Sequence, residues 1–595
     1  MRRSALAAAV VLLLTGTASA VSSAPAPGGR PISPPQGRPT ATGTGGAVAS
    51  VDGLASRTAM RVLRDGGNAV DAAVAAAAVL GVTEPFSCGI GGGGFMVVHR
   101  AGGGVSTIDH RETAPQAFFP RVFINPNTGN PIPFEAAVTS GLSVGVPGTV
   151  RGWEEALRRY GTAPLGDLLR PAIRIAQRGF TIDEPFAAGI EDNLERFRAF
   201  RSTRELFLTA NGDVPSVGSV HRNPDQADTL RRIARSGPDA FYRGPIAGAI
   251  VDAVRNPPKV RSTNLRIRPG LMRRSDLLDY DATSRRPTAI SYRGFDIYGM
   301  APPSSGGSTV GEALNILEGL RLGESSREET LHRLIESERL AFADRNAYVG
   351  DPEYVDVPLD GLLDQDFADV RRREIGFRAA QGIVPPGNPF AFDEAGPGRA
   401  PRMSVEHEGR STTHLTVSDR DGMVVSYTFT IEQIGGSGIV VPGHGFLLNN
   451  ELTDFEFEPP HPNAPAPGKR PRSSMSPTIV FRGDRPVLAL GSPGGATIIT
   501  TVLQVLVNYL DLGMTLPDAI AAPRVSELND GVTLAEPAFL ASPVARELKE
   551  RGHDFEAIDE LGIVAAVRFF DDGRVQAATE PVRRGGGSAL VEERG

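Results

Sequence analysis

One residue of this chain could become both a nucleophile and its own base: Thr412, in the run Ser411-Thr412-Thr413-His414. While both of its neighbours are peptide-bonded, its hydroxyl is a poor nucleophile. If the Ser411–Thr412 bond breaks, Thr412 gains a free α-amino group beside that hydroxyl. A single residue then supplies the attacking oxygen and the proton acceptor. An ordinary α-amino pKa of ~7.7–8.0 keeps a useful share of such an amine basic near neutral pH. The expected chemistry is acyl transfer by a chain that first cuts itself between Ser411 and Thr412.

The elements that must hold this residue can be read around it. Asp419-Arg420-Asp421-Gly422 is a turn signal that suits a three-residue hairpin loop closed by a left-handed glycine. That loop pairs Asp419 with Met423. Counting outward pairs Val417 with Val425, Leu415 with Tyr427 and Thr413 with Phe429 on one apolar face. The opposite face pairs Thr416 with Ser426, His414 with Thr428 and Thr412 with Thr430. Register alone therefore sets the Thr430 hydroxyl opposite the nucleophile. Thr428 reads simply as a strand-forming residue.

A buried strand over 487–490 leads through Gly491-Ser492-Pro493-Gly494-Gly495 into a helix expected over about 496–512. Glycines at a helix start leave backbone N–H groups unpaired, and these stabilise an anion. Beside Thr412, Gly494 and Gly495 read as donors to the oxyanion of acyl transfer. Glu451 and Asp454 would hold a substrate ammonium, and Arg111 a carboxylate through a bidentate pair. Ser473 and Ser474 would add hydroxyl donors. Together these residues would grip the zwitterionic end of an amino acid.

Other signals exclude other chemistries. Gly89-Ile90-Gly91-Gly92-Gly93-Gly94 has dinucleotide-fingerprint spacing, but it lies after a helix and before a strand, the wrong order for that fingerprint. It reads as a tight turn with close backbone approach. No His/Cys/Asp cluster has ligand spacing, so no metal and no organic cofactor is expected. The lone cysteine, Cys88, permits no intrachain disulfide and reads as a small buried residue. A formal net charge of −7 over 595 residues argues against a nucleic-acid surface. The basic cluster Arg371-Arg372-Arg373, flanked by acids, reads as a solvated helix face.

Residues 1–20 read as a secretory signal peptide: Arg2 and Arg3, an apolar run over 5–14, then Ala18-Ser19-Ala20. Residues 21–46, rich in Pro, Gly, Ser and Thr, read as a flexible tether. No other apolar run reaches membrane-spanning length, so the protein is expected to be secreted or periplasmic. Residues 135–260 read as largely helical, 288–300 as strands, and two helices follow, to about 320 and over 328–348. A Pro- and Gly-loaded stretch over 382–401 is expected to be extended and mobile. Beyond Thr412, strands are expected over 412–418, 423–430, 437–448, 476–482 and 486–491. Residues 47–595 thus form one α/β unit in two pieces, 47–411 and 412–595.

Taken in order, several motifs resemble the γ-glutamyltransferases, also called glutathione hydrolases, of the N-terminal-nucleophile hydrolase superfamily. They are Asp65-Gly66-Gly67-Asn68-Ala69-Val70-Asp71-Ala72, the Gly89 to Gly94 run, Arg111-Glu112-Thr113-Ala114-Pro115, Pro302-Pro303-Ser304-Ser305-Gly306-Gly307, Thr412-Thr413-His414, Leu447-Leu448-Asn449-Asn450, Ser473-Ser474-Met475-Ser476-Pro477 and Ser492-Pro493-Gly494-Gly495. The resemblance implies an α/β (α+β) fold, a four-layer αββα sandwich with the large (47–411) and small (412–595) pieces interleaved after cleavage. It implies that Thr412 processes the chain and attacks substrate, that Thr430 supports it, and that Gly494 and Gly495 form the oxyanion hole. Arg111, Ser473 and Ser474 match positions binding the γ-glutamyl α-carboxylate; Glu451 and Asp454 match those binding the α-amino group. Glu432 stands where many members carry a substrate-contacting asparagine. The segment between Phe455 and Ser473 is short where some relatives have a longer lid loop. The implied partners are a glutathione-like substrate, water or an acceptor amine, and the chain's own cleaved pieces. Rival readings are a glutaryl- or cephalosporin-type acylase on the same fold, and a non-catalytic envelope binder of γ-glutamyl compounds.

Overall fold

A computed structural model describes residues 37–393 and 411–593. Two antiparallel sheets form its centre. The six-stranded sheet runs in the order Ser588–Val591, Ala47–Ser50, Thr413–Ser418, Val424–Thr430, Gly93–His99, Val105–Asp109. The seven-stranded sheet runs Thr40–Gly43, Val575–Thr579, Ala565–Phe569, Arg485–Gly491, Thr478–Arg482, Phe295–Gly299, Thr288–Tyr292. Both sheets contain strands from before and after the Ser411–Thr412 bond.

The hairpin has the register counted from its loop. Val417 pairs with Val425, Leu415 with Tyr427, Thr413 with Phe429, and His414 with Thr428. Its apolar face packs on the helix Ala69–Thr83 in one core cluster. That helix is buried along its whole length, as its alanine-rich composition requires. Asn68 and Asp71 start it with a reciprocal capping box. The far face of the seven-stranded sheet packs its own core against the helices Gly306–Glu318, Arg327–Tyr348 and Thr497–Leu510. Helices outside and two sheets inside make the four-layer αββα sandwich.

Where the sheets face each other the contact is close and partly polar. Ala47, Ala49 and Ala589 meet Ala565, Val567 and Ala577 in an alanine-rich cluster. The Ser426 hydroxyl donates to Leu490 O (2.9 Å) and the Thr416 hydroxyl to Ala565 O (3.0 Å), tying one sheet to the other. With its only proton used there, the Thr416 oxygen accepts Nε2–H of His414 (3.0 Å), and Nδ1 accepts from the Thr428 hydroxyl (2.8 Å). Burial pushes His414 down to about 3, so it is neutral. Thr428 is thus more than a strand former: it fixes the His414 ring.

The glycine run does what close approach demands. A Cβ on Gly92 would lie 1.9 Å from Thr430 O, and one on Gly91 2.0 Å from Leu447 O. A larger residue at Gly92 would push the Thr430 strand away, and one at Gly91 the segment at Leu447.

Several expectations are corrected. Residues 437–448 form no strand: Gly438, Gly443 and Gly445 within the segment, and Gly435 and Gly436 just before it, take left-handed φ, and only a bridge between Val440 and Leu447 remains. The tether expected over 21–46 ends early, because Thr40–Gly43 adds an edge strand against Val575–Thr579. Within the stretch expected to be mobile, the described part is pinned, with Val384 N donating to Asn529 Oδ1 (2.8 Å) and the Tyr348 hydroxyl to Gly387 O (2.6 Å). Arg371 is buried rather than solvated, paired with Asp344 (2.9 Å) and Glu374 (2.7 Å). The signal-peptide stretch lies outside the described residues.

Candidate active site

One pocket is lined by Arg111, Ser411, Thr412, Thr430, Glu432, Glu451, Asp454, Ser473, Ser474 and Gly495. Every site residue read from the sequence is there except Gly494, which faces an adjoining cavity. Thr412 ends the hairpin strand at the pocket floor. In the intact chain its Oγ1 lies 2.5 Å from Ser411 O, the carbonyl oxygen of the bond expected to break. The Thr430 hydroxyl donates to that same oxygen at 2.9 Å and stands 3.2 Å from Thr412 Oγ1. Its orientation is set by Glu432 N–H, which donates to Thr430 Oγ1 at 2.8 Å. That amide is placed by a left-handed turn, with Glu432 at φ +80°, an unfavourable conformation for a residue with a side chain. The Asn450 amide holds the Glu432 carboxylate.

Gly494 and Gly495, at φ +137° and +60°, turn the chain from the strand Arg485–Gly491 into the helix Thr497–Leu510. Among the described residues, neither N–H donates to a protein acceptor. The Thr497 hydroxyl bonds Gly494 O (2.8 Å) and fixes the turn.

Opposite Thr412 stands an ionic group. Arg111 bonds Glu451 and lies 2.5 Å from Asp454 Oδ2, and it donates to Arg472 O (2.8 Å) and Pro471 O (3.2 Å). Burial opposes the guanidinium charge, but the carboxylates of Glu451, Asp454 and Glu112 outweigh it and raise its pKa. Burial likewise pushes Glu451 up to about 7, against the pull of Arg111. The serines are primed as donors. The Ser473 oxygen accepts Met475 N–H (3.2 Å) and the Ser474 oxygen accepts from Arg345 (2.6 Å), so both hydroxyl protons point elsewhere.

Two contributors escaped the sequence reading. Arg345, buried on the helix Arg327–Tyr348, orients Ser474 and also bonds Ser305 (2.7 Å). The other is Glu112, whose buried carboxyl abuts Glu451. Burial first, and the Glu451 charge second, push it well above the ordinary carboxylate range. That shift favours its protonated form beside Glu451. Both belonged to segments already singled out, but only packing shows what they touch. Folding also brings His332, Glu336 and His553 together, with ligand atoms within 4.8 Å, a trio invisible to linear spacing. Several of their atoms are engaged within the protein: His332 Nδ1 with His553 Nε2 (2.8 Å), His332 Nε2 with Gly376 O (2.8 Å), and Glu336 with Ala380 N (3.1 Å).

A four-layer sandwich with a hydroxyl residue at the start of a central strand, backing onto unpaired glycine amides, defines an N-terminal-nucleophile hydrolase. Comparison with known proteins narrows the class. A family profile described as Gamma-glutamyltranspeptidase matches residues 55–590. A glutathione hydrolase proenzyme from Bacillus subtilis (strain 168) is 41% identical over 553 residues, covering 91% of each chain. An acylase ACY 1 proenzyme from Pseudomonas sp. (strain SE83) is 34% identical over 567 residues, covering 93% of this chain and 96% of the relative. The solved cephalosporin acylase of Bacillus halodurans superposes with a TM-score of 0.82 at 29% identity, over 94% of this chain and 98% of that one. The chain belongs to the γ-glutamyltranspeptidase family and is an enzyme, a γ-glutamyl hydrolase/transferase.

Proposed function

We propose that this chain matures by cutting itself at Ser411–Thr412 and then uses Thr412 to cleave the γ-glutamyl amide of glutathione and related compounds. The observation that carries this reading is the pair of hydroxyls on the scissile carbonyl. Thr412 Oγ1 is beside the carbonyl it must attack, and Thr430 donates to its oxygen. Attack of Oγ1 on the Ser411 carbonyl carbon gives a tetrahedral centre whose oxyanion keeps the Thr430 hydrogen bond. Collapse breaks the C–N bond, leaving an ester and a free Thr412 amine. Water hydrolyses the ester and leaves a carboxylate on Ser411.

In the mature enzyme the Thr412 amine takes the hydroxyl proton as Oγ1 attacks the γ-carbonyl. The Gly494 and Gly495 N–H groups receive the oxyanion. The amine then passes the proton to the leaving nitrogen, and the glutamyl ester is released to water or to an acceptor amine. Glu451 and Asp454 hold the substrate ammonium; Arg111 and the free protons of Ser473 and Ser474 hold its carboxylate. Glu432 borders the site through its contact with Asn450.

A second reading, a glutaryl-type acylase, is favoured by the acylase relatives. A glutaryl group has no α-ammonium, so it would leave Glu451 and Asp454 with nothing to hold beyond their pairing with Arg111, which supports the γ-glutamyl reading. Turnover of γ-glutamyl and glutaryl anilides, measured side by side, tests the choice: γ-glutamyl release should dominate, and faster glutaryl release would reverse it. We infer export from the signal-like residues 1–20. Among the described residues no helix is long and apolar enough to cross a membrane.

A further inference from the structure

A cleft remote from the catalytic pocket collects positive charge that the protein does not neutralise. Arg57 and Arg61 stand one turn apart on the helix Gly53–Arg64, and Arg174 and Arg178 one turn apart on the helix Arg170–Arg178. All four line one cleft of about 240 Å³, over an apolar floor that includes Leu54 and Ile175. The cleft shares no lining residue with the pocket around Thr412.

Among the described residues none of these four guanidinium groups has a hydrogen-bonded or ion-paired partner. Other surface arginines lack a partner singly, and some are answered, as Arg158 is by Glu155, Arg198 by Asp213 and Arg485 by Asp571; here four converge on one cleft. The acid whose charge reaches Arg57 is Asp52, and its carboxylate is committed to capping the helix through Ala55 N (2.7 Å). Burial, and then repulsion from Arg61, lower the Arg57 pKa despite Asp52.

Like charges one turn apart on a helix are destabilising. The helix dipole accounts for Arg61 and Arg178, which lie in last turns. It does not account for Arg57 or Arg174, which stand nearer the middle. In a chain of net charge −7, four unanswered arginines facing one cleft ask for a ligand of opposite sign.

We propose that this cleft binds a multivalent oxyanion of the phosphate class. Guanidinium forks suit phosphate oxygens. A tetrahedral anion presents oxygens in several directions at once, as donors converging from two helices require, whereas a single carboxylate presents two in one plane. The apolar floor would take the carbon skeleton of the bound molecule. The same chemistry is offered by a free phosphorylated metabolite and by the headgroup of an anionic lipid.

The test is calorimetric titration of the whole protein with inorganic pyrophosphate, alongside sedimentation with vesicles of phosphatidylglycerol in phosphatidylcholine. Pyrophosphate should bind, more weakly as salt rises. The double variant Arg57→Gln/Arg174→Gln should lose at least about tenfold in affinity while keeping the wild-type melting temperature. Arg198→Gln should bind as wild type. Vesicle binding that pyrophosphate competes away supports the lipid source; pyrophosphate binding without vesicle binding supports the soluble one. The proposal is overturned if pyrophosphate does not bind, if the double variant binds it equally well, or if vesicles bind without pyrophosphate competing.

Discussion

The nucleophile hairpin and the charged clamp share one pocket but are built on opposite physics. The hairpin brings together neutral hydroxyls through strand register: Thr412 and Thr430 meet because a short loop pairs their strands. The clamp brings together charges from segments far apart in the chain, with Arg111 reaching Glu451 and Asp454 across more than three hundred residues. Main-chain hydrogen bonds hold the first rigidly, so its geometry should respond to the loss of a single hydroxyl and barely to pH. Charge balance holds the second, so it should respond to pH and to any change of charge.

The largest effect that would sharpen this contrast lies in the hairpin. Thr430→Val removes the hydroxyl that donates to the scissile carbonyl. Self-cleavage, followed by gel densitometry, should slow by about 10²-fold, the cost of losing one oxyanion donor, and Thr430→Ser should restore most of it. Equal rates for Val and wild type would remove Thr430 from the chemistry. Next comes the clamp. Glu451→Gln keeps the shape and drops the charge. Losing a hydrogen bond to a charged group costs about 1.5–3 kcal/mol, so KM for a γ-glutamyl anilide should rise roughly ten- to a hundredfold, with a smaller change in kcat. A fall in kcat at constant KM would place Glu451 in the chemistry instead.

The smallest effect is pH dependence. Glu451 is raised to about 7, so it is charged above that pH and neutral below it. As pH falls through 7 the clamp loses its hold on the substrate ammonium, and KM should climb. The Glu451→Gln variant should lack that limb. A wild-type KM that stays flat between pH 8 and pH 6, on the scale of an ordinary titration, would mean that the substrate ammonium is held elsewhere.

This contrast also explains what could be read from the sequence. Asp419-Arg420-Asp421-Gly422 specified its turn, and the period of two carried that information to Thr430, in the seventh pair out from Asp419–Met423. The order of strand, glycines and helix around Gly494 was legible for the same local reason. Arg345 was not legible as the partner of Ser474, because nothing local distinguishes it from other arginines on a long helix. Glu112 was part of a recognised motif, yet the rise in its pKa comes from burial against Glu451. The expected strand over 437–448 failed because three glycines within it, Gly438, Gly443 and Gly445, adopt left-handed conformations that alternation cannot reveal. Thr40–Gly43 was missed because its composition is that of a linker, and its order comes from a main-chain partner more than five hundred residues away.

The most direct measurement is intact mass and N-terminal sequence of the purified protein, as wild type and as Thr412→Ala. The wild type should give two fragments, the second beginning with Thr412, and the variant should remain whole and inactive toward glutathione. A second fragment starting at any other residue, or a variant that still cleaves itself and turns over substrate, would contradict the account.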